Sequence, residues 1–549
     1  MRRLSVALLL LLASIVAPAG VVLTHAATTG RAAAAAPLHA DFDGDGNEDV
    51  AVGVPGEVLG ADLDAGAINV LYGAGAGLSG SGSQRFHQDT PGVGSAPEEF
   101  DRFGSALATG DFNGDGFDDL AVGAPGEAVG AVQGAGAINV LFGSATGLTG
   151  TGSQLFTQAS LGGGRTSGEF ESFGEALASG DLDGDGIDDL AIGVPFGNAE
   201  TGSVHVLFGT TGGLTGGRAT VTFTQDSPGL GSASESFDRF GGALATGDFD
   251  NSGVSDLAIG SPGESSGDIF GAGAVHILFG QTTGITGAGS QFWVQNLPGF
   301  PSDPEISDEF GASFGAGDFN GDGFDDLAIG APFESVGTVQ GAGAVFALRG
   351  GTGGLSVGGV QVLHQGVAGI GSDPEEFDGF AFALAVGDFD NDDDLFDLAV
   401  GVPFESVGNV VQAGALNILF GSGGGLTTAG SQLFTQDVVG MGSTVEEADT
   451  LGFALAVADV QGDEFDDLVA GAPFESVGTQ FGAGAINFLP GTAAGLRGGP
   501  VLHQDVAGIE GTAEEFDTFG FALAASNPNE SGTTATASAS SGQAARPSR

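Results

Sequence analysis

One ten-residue segment recurs seven times along this chain and limits the folds that the chain can adopt. In its clearest form, at Asp111–Leu120, it reads Asp-Phe-Asn-Gly-Asp-Gly-Phe-Asp-Asp-Leu. Its first aspartate returns at intervals of 70, 70, 67, 70, 70 and 71 residues, at Asp41, Asp111, Asp181, Asp248, Asp318, Asp388 and Asp459. A fixed period of this length is typical of repeat proteins, in which each period forms one supersecondary unit. The 549 residues are therefore expected to form one repeat array.

Each period contains four short apolar runs separated by Gly-rich breaks, which in the second period are Ala106–Thr109, Leu120–Ala124, Ala137–Phe142 and Ser153–Gln158. Their length, their Val, Ile and Phe content and the flanking Gly and Pro favour strands over helices. Seven such periods predict an all-β chain that forms a seven-bladed β-propeller of four-stranded antiparallel blades. A linear β-solenoid is the alternative, but its repeats are usually far shorter.

The two ends of the array are complementary. Later periods carry a Phe-Gly strand before the aspartate segment, as at Phe103-Gly104, whereas the first period has only alanine-rich sequence at 32–40. The missing piece is present at the other end, at Phe516–Ala524, where no further aspartate segment follows it. We therefore predict that the C-terminal strand completes the first blade and closes the ring, in a propeller that spans residues 37–525.

The N-terminus has the pattern of an export signal. Two arginines precede the apolar run Leu4–Leu23, and small residues follow it, which predicts a cleaved signal peptide at 1–26 and a linker at 27–36. A retained membrane anchor is the alternative, because the run is long enough to span a bilayer. The Ser-, Thr- and Ala-rich segment 526–549 predicts a disordered tail. The expected location is secreted, extracellular or at the cell surface.

Charge and missing residue types exclude several classes of function. The chain has 70 acidic residues against 12 arginines, no lysine and a net charge of −58. Nucleic acids and anionic membranes are bound through clustered Lys and Arg, so neither is an expected partner. The absence of cysteine excludes disulfides, thiolate catalysis and cysteine-ligated metals. The absence of lysine excludes Schiff-base chemistry and the P-loop lysine.

We call the stretch that begins at each recurring aspartate an aspartate loop. In the first loop, Asp41–Asp49, carboxylates stand at positions 1, 3, 5 and 9, and Gly46 at position 6 permits a sharp turn. With the backbone carbonyl of position 7, this oxygen-only set suits Ca²⁺, which takes about six to eight oxygens. Two carboxylates about 4 Å apart repel by about 4 kcal/mol at an effective dielectric of about 20, so a cation is expected between them. Metal-free Asx turns are the alternative.

Four loops keep this pattern and three depart from it. The first, second, third and fifth supply the predicted ligands Asp41, Asp43, Asp45, Asn47, Asp49, Asp111, Asn113, Asp115, Phe117, Asp119, Asp181, Asp183, Asp185, Ile187, Asp189, Asp318, Asn320, Asp322, Phe324 and Asp326. The fourth has serine at position 5, the sixth has an extra residue and no glycine, and the seventh has Gln461 and Glu464 at positions 3 and 6. Their predicted ligands are Asp248, Asp250, Ser252, Val254, Asp256, Asp388, Asp390, Asp392, Asp397, Asp459, Gln461, Asp463, Phe465 and Asp467. About four to seven Ca²⁺ ions are expected, one per loop.

The motifs around the loops resemble a known family. Phe103-Gly104 before the second loop and Gly123-Ala124-Pro125 after it are similar to FG-GAP repeats, such as those in the N-terminal propeller of integrin α subunits and in many secreted bacterial proteins. The similarity covers about residues 37–524, with departures at Phe380-Ala381 and Leu451-Gly452. The resemblance implies a seven-bladed, calcium-bearing propeller with a role in adhesion or ligand recognition.

The sequence contains no convincing catalytic constellation. Gly263–Gly267 and Gly354–Gly358 match the Gly-x-Ser-x-Gly nucleophile elbow, but neither precedes a predicted helix. The acidic clusters are repeated as well, at Glu98–Asp101, Glu375–Asp378 and Glu514–Asp517, and are interpreted as a solvated rim, with a second cation site as the alternative. The chain is therefore not expected to be an enzyme.

The expected function is ligand recognition. A rigid calcium-stabilised propeller would bind an extracellular protein or glycan through its longer loops, of which Pro125–Gly136 and Asp89–Asp101 are the best candidates. After signal cleavage no membrane insertion is expected, and the oligomeric state is left open. The alternative is a propeller-type extracellular hydrolase or lyase, or an accessory domain of one, that uses unpaired acidic residues.

Overall fold

The computed structural model describes residues 40–162, 165–214, 219–392 and 395–525. The predicted signal peptide, linker and C-terminal tail lie outside these residues. Within them, the strands form seven antiparallel sheets of four strands each, as the repeat predicts.

Each sheet is one blade, and in six of the seven blades the four strands are consecutive in the sequence. The first three blades contain β1 (Val50–Val54), β2 (Ala67–Leu71) and β3 (Gln84–Phe86); β4 (Ala106–Gly110), β5 (Asp119–Ala124), β6 (Ala137–Phe142) and β7 (Thr149–Phe156); and β8 (Ala176–Gly180), β9 (Asp189–Gly193), β10 (Val204–Leu207) and β11 (Val221–Phe223). The fourth and fifth contain β12 (Ala243–Gly247), β13 (Asp256–Ser261), β14 (Ala274–Leu278) and β15 (Gln291–Trp293); and β16 (Ser313–Gly317), β17 (Asp326–Ala331), β18 (Ala344–Arg349) and β19 (Ser356–Leu363). The sixth and seventh contain β20 (Ala383–Gly387), β21 (Asp397–Val402), β22 (Ala415–Phe420) and β23 (Thr427–Phe434); and β24 (Leu455–Ala458), β25 (Asp467–Ala472), β26 (Ala485–Leu489) and β27 (Val501–Leu502); the last strand, β28 (Leu523–Ala524), belongs to the first blade.

Two short helices interrupt the strands of the described residues, a 3₁₀ helix at Gln158–Leu161 and one α-helical turn at Gly197–Glu200. The first of them explains why the fourth strand of the second blade ends before the predicted Gln158. Thr157 caps the 3₁₀ helix by accepting the N–H of Ser160, which stops the strand at Phe156. Neither helix has the length or the apolar composition that crossing a membrane requires.

The blades form a closed ring. The first strand of each blade lies beside the first strands of both neighbouring blades, so these strands surround the centre of the ring. In the first blade this inner strand is β28, which pairs antiparallel with β1 through Ala51–Ala524 and Val52–Leu523. The predicted closure by the C-terminal strand is therefore confirmed.

The core lies between the blades. Phe42 from the first aspartate loop and Phe103 from the Phe-Gly motif of the second blade are fully buried in one cluster with side chains of both blades. Burial of a phenylalanine side chain contributes about 1.5–3 kcal/mol, so these repeated aromatic contacts hold neighbouring blades together.

Two glycines of the repeat motif meet where blades pack. Gly123 belongs to the Gly-Ala-Pro motif of the second blade, and Gly174 to the Phe-Gly motif of the third. A Cβ atom on Gly123 would lie 2.3 Å from the carbonyl oxygen of Gly174, which is far inside van der Waals contact. The corresponding glycine in β1, Gly53, faces the carbonyl oxygen of Gly104 in the same way, at 2.1 Å. The motif therefore contains glycine because two backbones touch there.

We expect Gly123→Ala to lower the free energy of unfolding by about 3 kcal/mol, because the added methyl group must displace the backbone of the third blade. Gly353→Ala is the matched control, since a Cβ there has no neighbour within 4 Å. Denaturant unfolding of both variants measures the difference. Equal stability of the two variants would contradict this close approach.

Because the strands of a blade alternate in direction, its loops emerge at two faces. Each aspartate loop leads into the second strand of its blade, and we call the side of the ring on which these loops lie the aspartate face. Loops between second and third strands, such as Pro125–Gly136, and loops between blades, such as Asp89–Asp101, emerge at the opposite face. The two predicted ligand-contact loops are therefore on the same side of the ring.

Candidate metal centres

The aspartate at position 1 organises each loop. In the first loop the carboxylate of Asp41 accepts the backbone N–H groups of Gly44 at 2.7 Å, Asp45 at 3.1 Å and Gly46 at 3.0 Å. Both glycines adopt left-handed backbone conformations, with φ of +71° and +91°, which turn the chain around the carboxylate. In five other loops the position-1 carboxylate also accepts the N–H groups of positions 5 and 6; these carboxylates are Asp111, Asp181, Asp248, Asp318 and Asp459. Asp388 accepts the N–H group of position 5.

The aspartate at position 9 anchors each loop to its blade. Asp49 is fully buried and accepts the N–H groups of Phe42 at 2.9 Å and Gly73 at 2.8 Å. The corresponding aspartates are buried as well and accept the N–H of the equivalent glycine; they are Asp119, Asp189, Asp256, Asp326, Asp397 and Asp467. Burial raises the pKa of Asp49 to about 8, with added repulsion from Asp43 and Asp41. A cation would relieve both effects.

Carboxylates converge in four of the loops. In each of these, one oxygen from each of three aspartates lies within 4.8 Å of the others. The groups are Asp41, Asp43 and Asp45; Asp181, Asp183 and Asp189; Asp248, Asp250 and Asp256; and Asp388, Asp390 and Asp392. Oxygen donors packed this closely are the donor type that Ca²⁺ prefers, so the residues present fit the expected ion.

The second and fifth loops close through an amide. At position 3, Asn113 donates to both carboxylate oxygens of Asp119, at 3.2 and 3.0 Å, and Asn320 donates to Asp326 at 2.9 Å. Rotation of the amide would present its oxygen instead of its nitrogen. That oxygen is the ligand atom that the sequence predicts at this position. The structure therefore brings these predicted residues together.

Positions 5 and 7 form the outer part of each loop. The carboxylate at position 5 accepts the N–H of position 7, as Asp115 does from Phe117 at 3.1 Å. The same bond joins the pairs Asp45–Asn47, Asp185–Ile187, Asp322–Phe324 and Asp463–Phe465. The position-5 aspartates are exposed, so this side of each loop opens to solvent.

The three divergent loops differ locally. Ser252 donates its hydroxyl to the carbonyl of Val254 at 3.4 Å, so this predicted pair is in contact. In the seventh loop Gln461 donates to Asp463 at 3.3 Å, and Glu464 adopts φ of +70° in the place of glycine, a strained conformation for a side chain of this size. In the sixth loop, the residues between Asp392 and Leu395 lie outside the described residues.

Sequence reasoning missed the contacts that position 8 makes between blades. Five loops carry an acidic residue at position 8, as the sequence alone shows. In the structure the side chain of that residue contacts the aspartate loop of the neighbouring blade. These residues are Glu48, Asp118, Asp188, Asp325 and Asp466.

The interpretation of the acidic clusters as a solvated rim is wrong for their last aspartate. Glu98 and Glu99 are exposed, but Asp101 is 1% exposed and accepts the N–H of Glu98 at 2.6 Å. The carboxyl group of Asp101 also adjoins that of the buried Glu127 of the next blade. Asp378 and Asp517, at the same point of the other two clusters, are buried in the same way.

Four such contacts join two carboxyl groups directly, and we call them carboxyl pairs. They are Asp101–Glu127, Asp308–Glu334, Asp378–Glu405 and Asp449–Glu475. A glutamine from the preceding blade donates to each glutamate, as Gln88 does to Glu127 at 2.5 Å and Gln295 to Glu334 at 2.6 Å. Burial and the repulsion between the two adjoining groups raise the pKa of Glu127, Asp308, Asp378 and Glu475.

The other motifs of the sequence have structural roles. Gly263–Gly267 lies in a turn, and Gly354–Gly358 leads into β19, so neither match to the nucleophile elbow opens a helix. Burial lowers the pKa of His205 to about 4 and that of His276 to about 3. These rings contact the hydroxyls of Thr222 and Ser232, each at 2.8 Å.

Comparison with known proteins agrees with this architecture. The FG-GAP repeat family matches residues 103–141, 173–207, 240–278 and 310–348. Phosphatidylinositol-glycan-specific phospholipase D of Bos taurus is 32% identical over 175 residues, which are 31% of this chain and 20% of that protein. Integrin alpha-5 of Xenopus laevis is 33% identical over 241 residues, which are 42% of this chain and 20% of that protein.

Two further comparisons are more limited. Integrin alpha-PS5 of Drosophila melanogaster is 38% identical over 159 residues, 28% of this chain and 14% of that protein. This chain thus covers about a fifth or less of the length of these three relatives. A solved rhamnogalacturonan lyase aligns over 84% of this chain and 90% of its own, at 11% identity, with a TM-score of 0.32 that is too low to carry an argument. The chain therefore contains FG-GAP repeats, four of them matched by the family, within a seven-bladed β-propeller.

Proposed function

We propose that this chain is a secreted or cell-surface, calcium-binding β-propeller that recognises an extracellular protein or glycan ligand, as an adhesion module does. The observation that carries the proposal is the contrast between its two faces. Carboxylate loops that fit Ca²⁺ are repeated on the aspartate face, and exposed aromatic side chains are repeated on the opposite face. The N-terminal export pattern supports the location.

The aromatic side chains occupy one position of the repeat. Each is a phenylalanine just before an acidic residue of an inter-blade loop, is between 45% and 68% exposed, and has a positive φ; they are Phe100, Phe170, Phe237, Phe377 and Phe516. A left-handed backbone at a bulky residue is costly, and such strain concentrates at functional sites. Exposed aromatic groups of this kind mark surfaces that bind partners.

Neighbouring apolar side chains enlarge these patches. Phe237 lies 6.4 Å from Phe270, and Phe516 lies 5.5 Å from Phe481, measured between ring centroids. The backbone N–H of Phe100 donates to the carbonyl of Leu63 at 2.8 Å, so the loop between blades is fixed against a loop of the preceding blade. The patches are therefore held in place before a ligand arrives, which lowers the entropy cost of binding.

The proposal is tested by binding of calcium-loaded protein to immobilised extracellular-matrix proteins and to a glycan array. The test variant is Phe100→Asn, Phe170→Asn, Phe377→Asn, because asparagine tolerates a positive φ. Leu155→Asn, Leu433→Asn is the control, since these leucines are exposed on outer strands. We expect the test variant to lose at least about tenfold in affinity and the control to keep it.

The similarity to phosphatidylinositol-glycan-specific phospholipase D favours one alternative, a propeller hydrolase or lyase or an accessory domain of one. A generic panel of hydrolase and lyase substrates, run beside the arrays, separates the two functions. Substrate turnover without binding to either array would overturn ligand recognition in favour of that alternative.

A further inference from the structure

Each aspartate loop contacts the loop of the preceding blade through its position 8. The carboxylate of Asp118, in the second loop, accepts the backbone N–H of Asp41, position 1 of the first loop, at 2.9 Å. The N–H of Asp118 donates to the carbonyl of Asp41 at 3.4 Å. One residue thus holds both backbone groups of the aspartate that organises the neighbouring loop.

The side-chain contact recurs in one direction around the ring. The N–H groups of position 1 donate to the carboxylates of position 8 in the following loop at 2.7–2.8 Å, in the pairs Asp111–Asp188, Asp248–Asp325, Asp388–Asp466 and Asp459–Glu48. The last pair joins the seventh loop to the first and so crosses the closure of the ring. Because the residues of each pair lie in different blades, the contact forms only when the blades are docked.

Two junctions lack the carboxylate. Position 8 is Ser255 in the fourth loop and Phe396 in the sixth. Both keep the backbone bond, from Ser255 to the carbonyl of Asp181 at 3.0 Å and from Phe396 to that of Asp318 at 3.2 Å. The carboxylate contacts therefore divide the loops into two blocks. One block contains the sixth, seventh, first, second and third loops, and the other contains the fourth and fifth.

Two physical effects couple the loops that share such a contact. Asp118 adjoins the buried Asp119 of its own loop, so ordering of one site fixes the residue that positions the other. Asp118 is also 6% exposed, and the charged groups that act on it are Asp188, Asp111 and Asp41, all acidic. A cation in either loop would hold Asp118 in place against this repulsion, so the shared contact is already ordered when the neighbouring loop binds its own cation.

We propose that the position-8 carboxylates are positioning residues that make calcium binding cooperative within each block and independent between the blocks. This inference rests on the proposed calcium function. It assigns a coupling role to five residues that are not predicted calcium ligands; they are Glu48, Asp118, Asp188, Asp325 and Asp466.

The test is calorimetric titration of calcium into the chelator-treated full chain, with Tb³⁺ luminescence as a second readout. Wild type is expected to bind in two phases, of which the larger is steep. Asp118→Ala should reduce the steepness of that phase and weaken binding about tenfold without loss of sites, because coupling of this kind is typically about 5- to 150-fold. Asp118→Asn keeps an acceptor for the N–H of Asp41 but removes the charge, and should give an intermediate curve.

Ser255→Asp supplies the missing carboxylate and is expected to merge the two phases into one steeper transition. A purely structural role of position 8 does not predict this gain. Two unchanged phases in Ser255→Asp, or an Asp118→Ala curve that superimposes on wild type, would overturn the coupling while leaving the calcium function intact. A titration in which no calcium binds would overturn both.

Discussion

Removal of divalent cations should lower the melting temperature of this protein by about 10 °C. A site held at about 100 times its Kd adds about 2.7 kcal/mol to stability, so four occupied loops add about 11 kcal/mol. For a chain of this size each kcal/mol corresponds to about 1 °C, because the unfolding entropy grows with chain length. The physical source is the convergence of three aspartate oxygens within 4.8 Å, which repel one another when no cation lies between them.

Thermal unfolding in chelator and in millimolar calcium measures the effect. Magnesium is the matched control, because its strict octahedral geometry suits these loops less well than the flexible coordination of calcium. Magnesium should therefore restore only part of the loss. Superimposable melting curves in chelator and calcium would show that the loops are metal-free Asx turns.

Raising the pH from about 5 to about 8 at saturating calcium should destabilise the protein through the carboxyl pairs. Burial, together with the adjacent Glu405 carboxylate, raises the pKa of Asp378 to about 7. Burial also raises the pKa of Glu127, Glu334 and Glu475. In the unfolded chain such groups titrate near pH 4. Their contribution is therefore complete below about pH 4 and is lost as the pH rises through about 7, by about 1–3 kcal/mol per pair.

The variant that isolates this effect replaces the glutamate of every pair, as Glu127→Gln, Glu334→Gln, Glu405→Gln, Glu475→Gln. An amide can donate to the partner aspartate without a titrating proton, so the fall in stability between pH 5 and pH 8 should become shallower. Glu376→Gln, at an exposed glutamate, is the control for a lost charge. Denaturant unfolding across this range measures the slope, and the idea fails if the fourfold variant has the slope of wild type.

The junction that closes the ring offers a natural comparison. There Glu57 accepts from Gln504 at 2.6 Å, as the other glutamates do from their glutamines, but it also forms a salt bridge with Arg85. Burial raises the pKa of Glu57, and the Arg85 guanidinium offsets part of this rise. A fixed positive charge thus lies beside the buried glutamate at the junction where the two ends of the repeat array meet.

The parts of this structure that are local in sequence were predictable. All predicted ligands of an aspartate loop fall within one turn, so the spacing of Asp111, Asn113, Asp115 and Asp119 was enough to predict a candidate site. Four apolar runs per period and the Phe-Gly piece at the C-terminal end were enough to predict the blades and the closure by β28. Local patterns succeed here because each period folds into one blade.

Contacts between blades were not predictable in the same way. The bond between Asp41 and Asp118 joins residues 77 positions apart, and that between Gln88 and Glu127 joins residues 39 positions apart. Asp101 looks solvated in the sequence because exposed acidic residues precede it, yet its loop folds onto the next blade and buries it. The repeat pattern does not show which carboxylate of a period contacts the neighbouring blade.

Elemental analysis is the direct test of whether calcium ions hold the aspartate loops. Purified full-length protein is dialysed against buffer with micromolar calcium, and the metal is counted per chain beside a dialysis blank. We expect about four to seven calcium ions per chain, falling by one when Asp189→Ala removes a buried ligand of the third loop. A chain that retains no calcium above the blank would contradict calcium binding by these loops.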